Sequence, residues 1–108
     1  MLFRSSIDRH LENAWEIMPG TGLPTKVVID LDATVAGNMA ETQWHPTQQV
    51  TPLAGGGARF TARVSGIEEI LWWVLGIGSH ATVVEPAALR DRVREEVRAM
   101  ARNAGVLP

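Results

Sequence analysis

Few residues in this chain are equipped for covalent chemistry. There is no cysteine, which removes a thiolate nucleophile, a disulfide framework, a thiolate zinc site and an iron–sulfur centre together. The three histidines, His10, His45 and His80, lack the i, i+4 spacing of a helical metal site. Asp30 and Asp32 stand two apart, the spacing that puts two carboxylates on one face of a strand. As a pair they can hold a hard cation. Taken singly they are an exposed strand residue and a helix cap, the reading that capping preference favours. No serine sits in a G-x-S-x-G elbow and no G-x-G-x-x-G follows a strand. Gly55-Gly56-Gly57 has neither the lysine nor the following helix of a phosphate loop, and it reads as a hairpin turn. No catalytic residue, cofactor site or metal site is assigned on these grounds, and the chain is expected not to be an enzyme.

Binding chemistry is better represented. Arg59 and Arg63 point the same way from one strand, about 13 Å apart. On an open sheet face they can contact an anion or a nucleic-acid backbone; the plain alternative is a solvated strand face. The aromatic inventory is unusual, with four tryptophans, two phenylalanines and no tyrosine. Trp72 and Trp73 are adjacent, so on a helix they project about 100° apart. Trp73 can join a sheet-facing edge through Ile70 and Ile77. Trp72 falls on the outer side with Glu69 and Gly76, to be covered by a partner or by the chain's own end helices. Trp44, Trp72 and Trp73 are accordingly the candidates for a subunit contact.

The elements that must position these residues follow from periodicity. Ile7, Leu11, Ala14, Trp15 and Met18 predict a helix over 6–18, ended by Pro19-Gly20. The turn-rich stretch 19–24 separates a lead-in segment, 1–23, from a compact domain, 24–108. Alternation predicts a strand at 25–31, after which Asp32 caps a helix over 33–42 with Val35, Ala36, Met39 and Ala40 inward. Strands at 47–53 and 58–65 form a hairpin, with Phe60, Ala62 and Val64 on the buried side. An apolar helix over 67–76 opens with Glu68 and Glu69 at its positive end. A fourth strand covers 80–85. Pro86 then starts a last helix whose stripe is Leu89, Val93, Val97, Met100 and Ala101. Its arginines are interleaved with Asp91, Glu95 and Glu96, the pattern of a solvated, ion-paired face.

The predicted class is α+β. The order β-α-β-β-α-β within 24–85 matches the ferredoxin-like arrangement, with a helix added at each end. Two right-handed crossovers place both inner helices on one sheet face. With 108 residues, 45% of them hydrophobic, and a net charge of −2, the chain has globular proportions and is not a basic nucleic-acid binder as a whole. Its longest apolar run, 70–77, is far short of the ~20 residues that span a bilayer, and no signal-peptide core is visible. The expectation is a cytoplasmic protein that does not engage a membrane.

From Trp44 to Met100 the sequence resembles the C-terminal extension of WYL-domain transcriptional regulators. The likeness rests on ordered features: Trp44-His45-Pro46-Thr47-Gln48 after a short helix, a Gly-rich hairpin, and Ala62-Arg63-Val64. The run Ile67 to Gly78 follows, ending in Leu75-Gly76-Ile77-Gly78. Val83-Val84-Glu85-Pro86-Ala87-Ala88-Leu89-Arg90 completes the set. Strand 25–31 fits the family's opening strand, and 3–20 looks like the helix leading out of the preceding domain. The resemblance implies a regulatory module that dimerises and responds to an effector, a nucleotide or single-stranded nucleic acid. It implies DNA contact only through a domain absent from this chain. Carried over by position, Arg63 alone falls where such a ligand would face. The alternative is a stand-alone ferredoxin-like domain binding a small anion through Arg59 and Arg63.

Overall fold

The computed structural model describes residues 24–107; the helix expected over 6–18 lies outside them. Strand β1, Thr25–Leu31, is the centre of the sheet. Alternate residues Val27, Ile29 and Leu31 are buried on the core face, as the sequence alternation predicts, and Val28 on the opposite face is buried too. Helix α1 follows at Ala33–Ala40, with the Asp32 carboxylate accepting from Thr34 N at 3.0 Å. Strands β2, Gln49–Pro52, and β3, Ala58–Val64, form the hairpin. Helix α2 spans Ile67–Ile77, β4 spans Ala81–Glu85, and α3 spans Ala87–Asn103. The four strands lie in the order β2-β3-β1-β4 with every neighbouring pair antiparallel. The class is thus mixed α/β, a four-stranded antiparallel sheet with three helices among the described residues.

Register fixes which residues share a face. Thr25 pairs with Val64 and Leu31 with Ala58, so the buried alternation of β1 meets that of β3. The core joins Val27, Ile29, Leu31, Phe60 and Val64 to Ile70, Leu71 and Val74 of α2. Helix α3 adds Leu89 to the same core and packs against α2 and β4. It therefore thickens the helical side of the sheet, and among the described residues the opposite face is mostly polar, with Val28 buried in it.

Several expected boundaries move. The first helix stops at Ala40, not residue 42, and Ala40, expected inward, is exposed in its last turn. β2 begins at Gln49, since Thr47 and Gln48 are taken up by the turn beneath Trp44 and His45. The expected three-glycine reversal is a short 3₁₀ turn over Ala54–Gly56, with Gly55 and Gly56 at φ 83° and 91°. A second 3₁₀ turn, Gly78–His80, delays β4 to Ala81. Pro86 sits one place earlier than the first helical turn, at the N-cap of α3. The largest departure is in α3: Val97 and Met100, expected on the core stripe, are 50% and 57% exposed. Leu89 and Val93 reach the core, whereas Val97 and Met100, further along the helix, line an open groove beside α2.

Candidate functional site

Three neighbourhoods contain the residues singled out by the sequence. The first is aromatic and internal. Trp73 stacks on Phe60 with centroids 4.8 Å apart, and Trp44 lies 5.8 Å from Trp73 at 55°. Both tryptophans are partly buried against the core. The loop that carries Trp44 is held by Gln48, whose Oε1 accepts from the N–H of Trp44 (2.6 Å) and His45 (3.1 Å). Its Nε2 donates to Thr42 O at 3.0 Å. One glutamine side chain thus satisfies three backbone groups that a loop would otherwise leave open.

His45 is buried, only 2% exposed, beneath this cluster. Its Nδ1 accepts from Thr47 N at 3.2 Å and lies 2.8 Å from Thr47 Oγ1. That oxygen in turn accepts from Arg63 N at 2.9 Å. A ring nitrogen that accepts from a backbone N–H is unprotonated, and burial pushes the His45 pKa below its ordinary value. The arrangement clips the loop to β3 and holds the imidazole neutral.

The second neighbourhood is the polar sheet face. Arg59 donates from Nε and Nη2 to the two oxygens of Asp30, its direct register partner, at 2.7 and 2.9 Å. The fork matches the carboxylate, and it holds Asp30 below the usual carboxylate range. Arg63, four residues along, has Lys26 as its register partner. The structure therefore does not bring Arg59 and Arg63 together: one is paired within the sheet and the other looks onto a groove of ≈ 480 Å³. Asp30 and Asp32 are also separated in role. Asp32 caps α1 and lies 2.9 Å from His80 Nδ1, and that contact, followed by the Thr34 N–H, lowers its pKa. Among the described residues no cluster of three or more histidines and carboxylates is placed to hold a metal ion.

The third neighbourhood is apolar and outward. Trp72 is 60% exposed, on the flank of α2 that also carries Glu68 one turn before it and Leu75 one turn after. Glu68 receives Arg92 of α3, Nε to Oε2 at 2.8 Å, and Arg92 also reaches Glu95 and Glu96. This network raises the Arg92 pKa and fastens α3 beside α2. Leu75, Val74, Val93, Val97 and Met100 line an apolar groove of ≈ 380 Å³ between the two helices. Of the three tryptophans expected at a subunit contact, Trp44 and Trp73 pack within the chain, and Trp72 faces out. Sequence reasoning missed Val97 and Met100 as surface residues, because an amphipathic stripe does not say how far its support extends. It also missed Lys26, because only the strand register puts it opposite Arg63.

No helix among the described residues is long and apolar enough to cross a membrane. No curated protein matches the chain. The family profile of the WCX domain matches residues 23–101, from the approach to β1 through nearly all of α3. That span contains all three neighbourhoods and most of the chain, so the chain belongs to the WCX family, the C-terminal domain found in WYL-domain transcriptional regulators.

Proposed function

We propose that this chain is a non-enzymatic regulatory module that joins a second copy through the outer surface of α2 and α3, and that it acts in the cytoplasm. In this reading an effector shifts how two copies pack, and the shift alters a separate DNA-binding domain. DNA is contacted only by that other domain. The fold proposed is ferredoxin-like, supported by the β-α-β-β-α-β order and the alternating antiparallel strands.

The observation that carries the contact is the exposure of large apolar side chains on both outer helices: Trp72 on α2, and Val97 and Met100 on α3, where the last two line the α2–α3 groove. A surface of this kind on a soluble domain marks a binding site. A second copy is the occupant favoured by charge. A two-fold contact needs a surface that complements itself, and α3 flanks its apolar stripe with both signs: Arg94, Arg98 and Arg102 beside Asp91 and Glu95. The test is the oligomeric state of the full chain and of Trp72→Ala and Met100→Glu. Both side chains are exposed, so both variants keep the fold while losing association.

A further inference from the structure

The antiparallel register builds three cross-strand rows on the polar face of the sheet. The third row, Thr51–Arg59–Asp30–Thr82, is neutral within itself, because Arg59 forks onto Asp30. The middle row is Gln49–Thr61–Val28–Glu85. The first is Arg63–Lys26, and Thr47, in the turn before β2, is attached to the Arg63 backbone by its hydroxyl. Here two cations are direct partners, with Cβ atoms about 5 Å apart, an arrangement that destabilises a sheet. Among the described residues neither the Lys26 ammonium nor the Arg63 guanidinium has a carboxylate partner, while Arg59, Arg92 and Arg94 all do. Asp30 is occupied by Arg59, and the nearest other acid by register is Glu85, opposite Val28.

The two cations stand beside the ≈ 480 Å³ groove, which Thr47, Gln49, Thr61 and Ala62 complete. The Thr47 hydroxyl is committed to the Arg63 backbone. The Gln49 amide and the Thr61 hydroxyl remain to donate and accept. Two cations facing one groove suit a doubly charged group, and the guanidinium fork fits two of its oxygens. Among the described residues no aromatic side chain lines the groove, so these residues offer no stacking platform for a nucleobase.

We propose that this groove binds a phosphomonoester dianion carried on a small polar molecule. Lys26 and Arg63 hold the phosphate, and Gln49 and Thr61 hydrogen-bond the polar body. The site lies across the sheet from the α2–α3 surface, so it goes beyond the contact proposed above, and its test does not depend on oligomeric state.

The experiment is a titration of the full chain, followed by backbone amide shifts, with glucose 6-phosphate, glucose, inorganic phosphate and adenosine 5′-monophosphate. Glucose 6-phosphate and phosphate are expected to move the amides of Lys26, Gln49, Thr61 and Arg63, with Kd for the sugar phosphate at or below about 1 mM. Glucose is expected to move none. Lys26→Ala and Arg63→Ala each weaken binding about tenfold, the usual consequence of losing one charge-assisted hydrogen bond. Arg59→Ala leaves binding within about twofold, since that side chain is already paired and one charge about 13 Å away is largely screened. Both groove variants fold, because both side chains are exposed and their removal relieves a like-charge pair. The proposal is overturned by absence of amide shifts in the groove, or by equal losses in Arg59→Ala and Arg63→Ala. Binding of the adenine nucleotide more than about tenfold tighter than the sugar phosphate overturns the ligand class.

Discussion

His45 shows how one residue serves the fold through its protonation state. In the folded chain Nδ1 is an acceptor, so a proton on the ring must break the link to Thr47 and through it to β3. Burial lowers the folded pKa below the ordinary 6.5. The unfolded chain therefore binds a proton more readily than the folded chain as pH falls through that value. The contribution to stability is complete above pH 6.5 and declines toward the folded pKa. Thermal unfolding is accordingly expected to shift to lower temperature between pH 7 and pH 5. His45→Asn keeps an acceptor near Nδ1 and removes the titration, so its profile over that interval is expected to be flatter; an unchanged slope would assign the effect elsewhere. At lower pH, Asp30, Asp32 and Glu68, all depressed by their partners, add a second decline as they protonate.

At the scale of elements, two close approaches do most to set the architecture. Gly57 ends the hairpin turn against the last residue of β1, where a Cβ would lie 2.6 Å from Leu31 O. Gly57→Ala is expected to cost about 2 kcal/mol, because backbone must move to admit the methyl group, and chemical denaturation at unchanged m-value would record it. A loss below about 0.5 kcal/mol would mean that the turn relaxes freely. Leu89 is the buried residue of α3 and its main anchor in the core. Leu89→Ala is expected to cost about 3 kcal/mol. Amide exchange should then quicken along α3 first and leave β1 and β3 protected; uniform acceleration would make α3 an integral part of the sheet's cooperative unit.

These elements were legible in the sequence to different degrees. Strand β1, the buried alternation of β3 and the Asp32 cap could be read because each depends on neighbours within a few residues. The reach of α3 could not: Val93 and Val97 are alike in sequence, and only the packing of the folded chain decides that one is covered and the other exposed. The same holds for the candidate site. Alternation placed Arg59 and Arg63 on one face, but whether each meets a carboxylate or a lysine depends on the pairing of β1 with β3. Trp72 was legible as outward from its helical angle, whereas the tilted contact of Trp44 with Trp73 required the loop to fold back.

For the whole molecule, the sheet separates two surfaces of opposite character. One carries α2 and α3 with an apolar outer groove, and the other carries Arg59, paired with Asp30, and the facing cations Lys26 and Arg63. A WCX domain arranged this way can meet a second copy on one side and a charged ligand on the other, with the sheet between them as the shared framework. Coupling between the two would need packings separated by only a few kcal/mol. The most direct test of the contact is sedimentation equilibrium of the full chain up to about 500 µM, beside Trp72→Ala and Met100→Glu. Reversible dimers are expected for the natural sequence, with association weakened about tenfold or more in each variant and the circular dichroism unchanged. A chain that remains monomeric at about 500 µM, or variants that associate as the natural sequence does, would contradict the account.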